Sequence, residues 1–175
     1  MPNILKSDSI TLTAAPVGWA LPSLAQKLLD QLRAEKLLPP RSKVVLSISC
    51  VNASRMAALN FKYRQKRRPT DVLSFEQPGA GSGTPTAPLI FLGDLVLCVP
   101  VVKAQAREQG HGVRCEAAIL LAHGLLHLLG FDHEKSRSEA IRMAMAEDRV
   151  LFRMGLGRSN QKGPTGLTTR GKVIR

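Results

Sequence analysis

The stretch Val113–Leu129, VRCEAAILLAHGLLHLL, restricts the fold of this chain more than any other. Ile119, Leu120, Leu121, Ala122, Leu125, Leu126, Leu128 and Leu129 cover nearly the whole circumference of a helix. A helix that is apolar all round must be enclosed by other elements. It is shorter than the ~18 apolar residues that a bilayer-spanning helix needs, so it is expected at the centre of a globular domain. His123 and His127 interrupt it one turn apart, and both rings leave from one face. An imidazole without a partner in such surroundings costs on the order of 1–3 kcal/mol. Two on one buried face need a shared partner, and a metal ion meets that need.

Gly130 follows three residues after His127. A glycine there can turn left-handed and end the helix, which lets His133 return to the same pocket. The pattern H-x-x-x-H-x-x-G-x-x-H differs at one position from the H-E-x-x-H-x-x-G-x-x-H arrangement of the metzincin zinc proteases. Three histidines, each roughly 2.0–2.1 Å from one Zn²⁺ per chain, leave a fourth tetrahedral position open to water. Water held there becomes acidic enough to supply hydroxide near neutral pH.

Gly124 stands where those proteases carry their general base. Glycine cannot take a proton, and in mid-helix it costs roughly 1 kcal/mol relative to alanine. It signals either close packing or space kept for a substrate, and it disfavours peptide hydrolysis. Asp132, beside the third histidine, has three readings: a group that orients an imidazole from behind, a proton acceptor, or a turn residue. His111 lies outside the pattern and reads as a surface residue.

Around this helix, strands and helices interleave unevenly. ITLTA (10–14) and KVVLSISCV (43–51) alternate as strands, the second with Val44, Leu46, Ile48 and Cys50 on one face. Between them, Leu21, Leu24, Ala25, Leu28, Leu29 and Leu32 make an apolar helical stripe, expected to run on until Pro39 and Pro40 stop it. Residues 53–65 favour a helix capped by Asn52, and TDVLSF (70–75) forms the next strand. Residues 76–88 read as a mobile Gly/Pro/Ser/Thr loop. LIFLGDLVLC (89–98) reads as a strand interrupted at Gly93-Asp94, and Pro100 opens a short helix. SRSE (136–139) is a capping-box pattern ahead of a last helix that Gly155 ends. These elements predict a single mixed sheet with helices packed on it.

The formal charge of +12, from 25 Lys+Arg against 13 Asp+Glu, favours a polyanionic partner, with nucleic acid ahead of an anionic membrane. Aromatics make up only 4% of the chain, so such a surface cannot rest on many stacked rings. Lys62, Arg64, Lys66, Arg67 and Arg68 concentrate charge at a helix end. Arginine's planar fork suits phosphate. Residues 1–152 are expected to form one domain, and 153–175 a flexible basic tail carrying Arg153, Arg158, Lys162, Arg170, Lys172 and Arg175. Charge alone does not separate a binding role for that tail from a solvated one. Cys50, Cys98 and Cys115 sit in apolar surroundings without a C-x-x-C pair, as in a reduced cytoplasmic protein, and the N-terminus lacks a signal-peptide pattern.

HGLLHLLGFDH (123–133), together with LNFKYRQKRRPTDVLSF (59–75) and LGDLVLC (92–98), resembles the YbeY family of bacterial endoribonucleases over roughly residues 10–152. The resemblance implies an α+β fold with a small sheet flanked by helices and zinc in a cleft. It implies a zinc-dependent, single-strand-specific endoribonuclease acting on ribosomal RNA at the small-subunit 3′ end and in ribosome quality control. It further implies His123, His127 and His133 as zinc ligands and Arg64 as a functional arginine. The expected partners are therefore ribosomal RNA and the small ribosomal subunit, with Arg64 and His123 at the chemistry and Lys66, Arg67 and Arg68 along the RNA backbone. Two other readings compete: an RNA-binding assembly factor with a structural zinc, and a metzincin-like peptidase. The 79–88 loop and the tail fall outside the shared pattern.

Overall fold

The computed structural model describes residues 7–77, 89–156 and 172–174. In chain order the elements are β1 (Ser9–Thr13), α1 (Leu21–Ala34), β2 (Lys43–Val51), α2 (Ala53–Arg64), β3 (Val72–Glu76), β4 (Leu89–Cys98), α3 (Val99–Glu108), α4 (Val113–Leu128), α5 (Arg137–Arg153) and β5 (Lys172–Ile174). They form an α+β fold around one mixed sheet of order β1-β2-β4-β3-β5. β3 and β4 are antiparallel, and the other neighbours run parallel.

Strand alternation sorts the side chains into two cores. Val44, Leu46, Ile48 and Cys50 of β2, Leu95 and Leu97 of β4 and Val72 of β3 join the apolar stripe of α1 and the leucines of α4 in the larger one. Leu73, Val96 and Cys98 point to the opposite face, where Met56 of α2 completes a smaller core. Helix α4 is buried from Glu116 to Leu128 and packs against β3, β4, α1, α3 and α5. Each buried leucine contributes roughly 1.5–3 kcal/mol relative to an exposed one, so many contacts fix the position of α4.

The structure corrects several boundaries. Helix α1 ends at Ala34 rather than running to Pro39. Lys36 adopts a left-handed conformation (φ 59°), and Leu37 N–H returns to Leu32 O at 2.9 Å. The turn brings Leu38 back into the core, and that burial ends the helix. Strand β4 is continuous, with a bulge at Leu92 where Val45 faces Phe91 and Leu46 faces Gly93. Cys115 is only partly buried, unlike Cys50 and Cys98. The 79–88 loop lies outside the described residues, as do 157–171 and 175 of the tail. Arg153 ends α5, and Lys172–Ile174 pairs with β3.

Candidate metal centre

Helix α4 closes as the glycine spacing predicts. Gly130 has φ 87°, its N–H donates to His127 O at 2.8 Å, and Phe131 N–H donates to Leu126 O at 3.1 Å. This Schellman turn satisfies carbonyls that the helix end would leave exposed. It also aims Phe131 O at the ring of His127, 2.8 Å from Nδ1. A carbonyl only accepts, so Nδ1 of His127 carries the proton and the lone pair of its neutral ring lies on Nε2. That Nε2 faces His123 Nε2 at 3.1 Å. His133 returns through the turn, and ligand atoms of the three histidines lie within 4.8 Å of one another. Two nitrogens bound to one tetrahedral zinc stand roughly 3.3 Å apart, given bonds of roughly 2.0–2.1 Å. The donor set and the close approach of the two Nε2 atoms therefore fit a divalent cation held by His123, His127 and His133.

Burial first, then the neighbouring His123, push the His127 imidazole down to about 3 against the opposing hydrogen bond to Phe131 O, with lesser effects from His133 downward and Asp132 upward. The ring stays neutral, as a ligand must. In the unfolded chain the same ring takes its proton near 6.5. Between those values the unfolded state holds the extra proton, so acidification favours unfolding. The cation-free protein is expected to melt at a lower temperature at pH 5 than at pH 7.5, and His127→Gln to lose less over that interval. Equal losses in both proteins would contradict this assignment.

Gly124 is explained by packing. A Cβ there would lie 2.7 Å from Leu95 Cδ2 and 3.2 Å from Ser74 Oγ. Ser74 is fully buried, and its hydroxyl donates to Gly124 O at 3.4 Å. The missing side chain lets α4 rest directly on β3 and β4. Gly124→Ala gains about 1 kcal/mol of helix propensity and incurs roughly 1–3 kcal/mol of overpacking. A net loss of about 1 kcal/mol is expected, read as a melting temperature roughly 2–4 °C lower. Leu95→Ala, which removes the obstructing methyls, is expected to abolish the extra loss when the two are combined.

Asp132 Oδ1 accepts from Glu134 N–H at 2.9 Å, which places this carboxylate in the turn that carries His133. His111, expected at the surface, is only partly exposed. Its ring is largely enclosed, with Nε2 3.0 Å from Glu116 Oε2 at the start of α4. The fully buried Glu116 draws the imidazole inward. Glu147, which no motif in the sequence marks, places Oε2 3.6 Å from His123 Nδ1.

The basic cluster begins on α2 and continues past its end. Gln65 turns left-handed at the C-cap, and the nearly buried Asn60 donates to Arg68 O at 2.6 Å, which folds residues 65–68 back against the helix. Lys62, Lys66, Arg67 and Arg68 are exposed, and the Arg67 guanidinium lies over the Phe61 ring at 4.7 Å. Arg64 is partly buried, and desolvation lowers its pKa from the ordinary value. Arginine stays cationic through such a shift. Tyr63 packs edge-on against Phe75, while the adjacent Ser74 meets α4. Helices α2 and α4 thus sit on opposite faces of β3 at the same height along the strand, with Arg64 on the α2 side. Among the described residues, no helix is long and apolar enough to cross a membrane.

Residues 17–155 match the family model described as Endoribonuclease YbeY. The chain is 39% identical over 117 residues to an Endoribonuclease YbeY of Acinetobacter baumannii, covering 67% of this chain and 74% of that protein. It is 39% identical over 139 residues to one from Geobacillus thermodenitrificans, covering 76% and 86% respectively. The solution structure of a Thermotoga maritima protein superimposes with a TM-score of 0.54 at 22% identity, covering 90% of this chain and 99% of that one, and supports the fold.

Proposed function

We propose, from the premise that the chain belongs to the Endoribonuclease YbeY family, that it is a zinc-dependent endoribonuclease of the cytoplasm. Its substrate in this reading is single-stranded ribosomal RNA, cut during maturation of the small-subunit 3′ end and in ribosome quality control. The small ribosomal subunit is the partner this role requires. The observation that carries the reading is the convergence of His123, His127 and His133 at the end of a buried helix. Zinc held there would supply Lewis-acid polarisation of a phosphoryl oxygen or activation of a water molecule.

The chain's own residues supply the rest. His127 keeps a lone pair inward because Phe131 O holds its other nitrogen. Arg64 would grip the scissile phosphate with its fork and offset charge that develops on it. Lys66, Arg67 and Arg68 would track the flanking phosphates. A peptidase reading is disfavoured by Gly124, since Leu95 fills the space where a glutamate would begin.

Cleavage of a single-stranded ribosomal RNA fragment by the zinc-loaded protein tests this reading. Arg64→Ala is expected to slow cleavage by about 100-fold or more, the scale of losing one donor to developing charge. Arg64→Lys is expected to recover only part of that, because an ammonium lacks the fork. The reading fails if the cation-stripped parent and Arg64→Ala both cleave at the parental rate.

A further inference from the structure

We propose that Glu147 is the positioning residue of the metal centre: its carboxylate holds the Nδ1 side of His123 and thereby presents Nε2 to the cation. The inference rests on His123 being a ligand. Helix α5 buries Ala140, Met143, Ala146, Val150 and Leu151. Position 147 follows Met143 by four residues and precedes Val150 by three, so it belongs to the same inward stripe. The helix thus places a carboxylate where its pattern calls for an apolar residue. Such a group is costly to enclose without a polar counterpart.

The counterpart is the histidine ring. Glu147 Oε2 lies 3.6 Å from His123 Nδ1, with the glutamate side chain 14% exposed and the histidine 5%. The separation is somewhat beyond the roughly 2.7–3.2 Å of an N–H···O hydrogen bond, so the carboxylate acts on the Nδ1–H dipole of a neutral ring rather than through an ion pair. A carboxylate on that side favours the tautomer with its proton on Nδ1 and leaves the lone pair on Nε2, the atom 3.1 Å from His127 Nε2. Phe131 O does the same for His127. Two of the three histidines are therefore oriented from behind, one by the backbone of the α4 turn and one by a side chain from α5.

The test is the affinity of the purified full chain for Zn²⁺, measured by competition with a chromophoric chelator, beside the visible absorption of the Co²⁺-substituted protein. Glu147→Ala is expected to weaken zinc binding by about 10–100-fold, the range seen when a partner of a ligating histidine is removed. Its Co²⁺ band is expected to shift. Glu147→Gln, which keeps the shape and an accepting oxygen without the charge, is expected to fall between parent and alanine, and it carries the test should the alanine variant not fold. Circular dichroism of the cation-free proteins establishes that each variant is folded. Zinc affinities of both variants within twofold of the parent, with binding lost in His123→Ala, would overturn the role of Glu147 alone. Undiminished binding in His123→Ala would overturn the three-histidine site beneath it.

Discussion

His127→Ala is expected to lose the bound cation and the RNA cleavage together, the second by more than about 100-fold. Removal of groups that merely support a ligand already costs roughly 10–100-fold in affinity or activity, and His127 is a ligand in this reading. The substitution takes away the Nε2 that faces His123 at 3.1 Å and the ring that Phe131 O holds. The Schellman turn at Gly130 uses only backbone groups, so the return of the chain to His133 does not depend on the ring. Zinc content measured on freshly purified protein, beside cleavage of a ribosomal RNA fragment, reads both effects. Loss of zinc with cleavage intact would place the activity elsewhere. The same variant addresses the assembly-factor reading. A structural zinc predicts that chelation unfolds the chain, whereas the enclosure of α4 by β3, β4 and three helices predicts a folded, cation-free protein. A melting curve with and without chelator distinguishes them.

The parts of this site that were legible in the sequence are those fixed by local geometry. The i,i+4 histidines, the glycine that ends the helix and the third histidine depend on a few consecutive residues, and the structure brings all three rings together. The apolar stripe of α1 and the alternation of β2 were legible for the same reason, because one-sided burial imposes a period. What escaped depended on distant neighbours. Lys36 takes a conformation usually given to glycine because Leu38 must reach the core. The reason for Gly124 lies on β4 and β3, in Leu95 and Ser74. The partial enclosure of His111 has a signal in the sequence: a glutamate inside the most apolar helix needs a counterpart, and Glu116 meets His111 five residues upstream. Glu147 left a similar trace, an acid in the inward stripe of α5, legible only once His123 is known to lie opposite.

Gly93→Ala is expected to destabilise the fold more than the Gly124 substitution, because the obstacle is backbone. A Cβ at Gly93 would stand 2.1 Å from Phe75 O, and the residue has φ 128°. A side chain in that conformation is strained by roughly 1–3 kcal/mol before any clash. Phe75 O cannot retreat cheaply. Glu76 is paired with Gly93 itself, Phe75 with Asp94, and Ser74 beside them is fully buried against α4. Relief would break ladder hydrogen bonds, each worth about 0.5–1.5 kcal/mol. Together these effects come to about 3 kcal/mol or more, which lowers the melting temperature of a chain of this size by about 10 °C. Gly112→Ala serves as the control, since a Cβ there meets nothing within 4 Å and φ is −70°. Should Gly93→Ala melt within 2 °C of the parent, Phe75 O would have room to yield and the obstruction at Gly93 would not be backbone-limited. In the proposed reading the effect extends to the three histidines. Strand β3 carries Ser74, which supports α4 at Gly124, the residue next to His123. A β3 displaced by an added methyl is therefore expected to lower zinc affinity in the folded fraction of Gly93→Ala, while Gly112→Ala binds as the parent does.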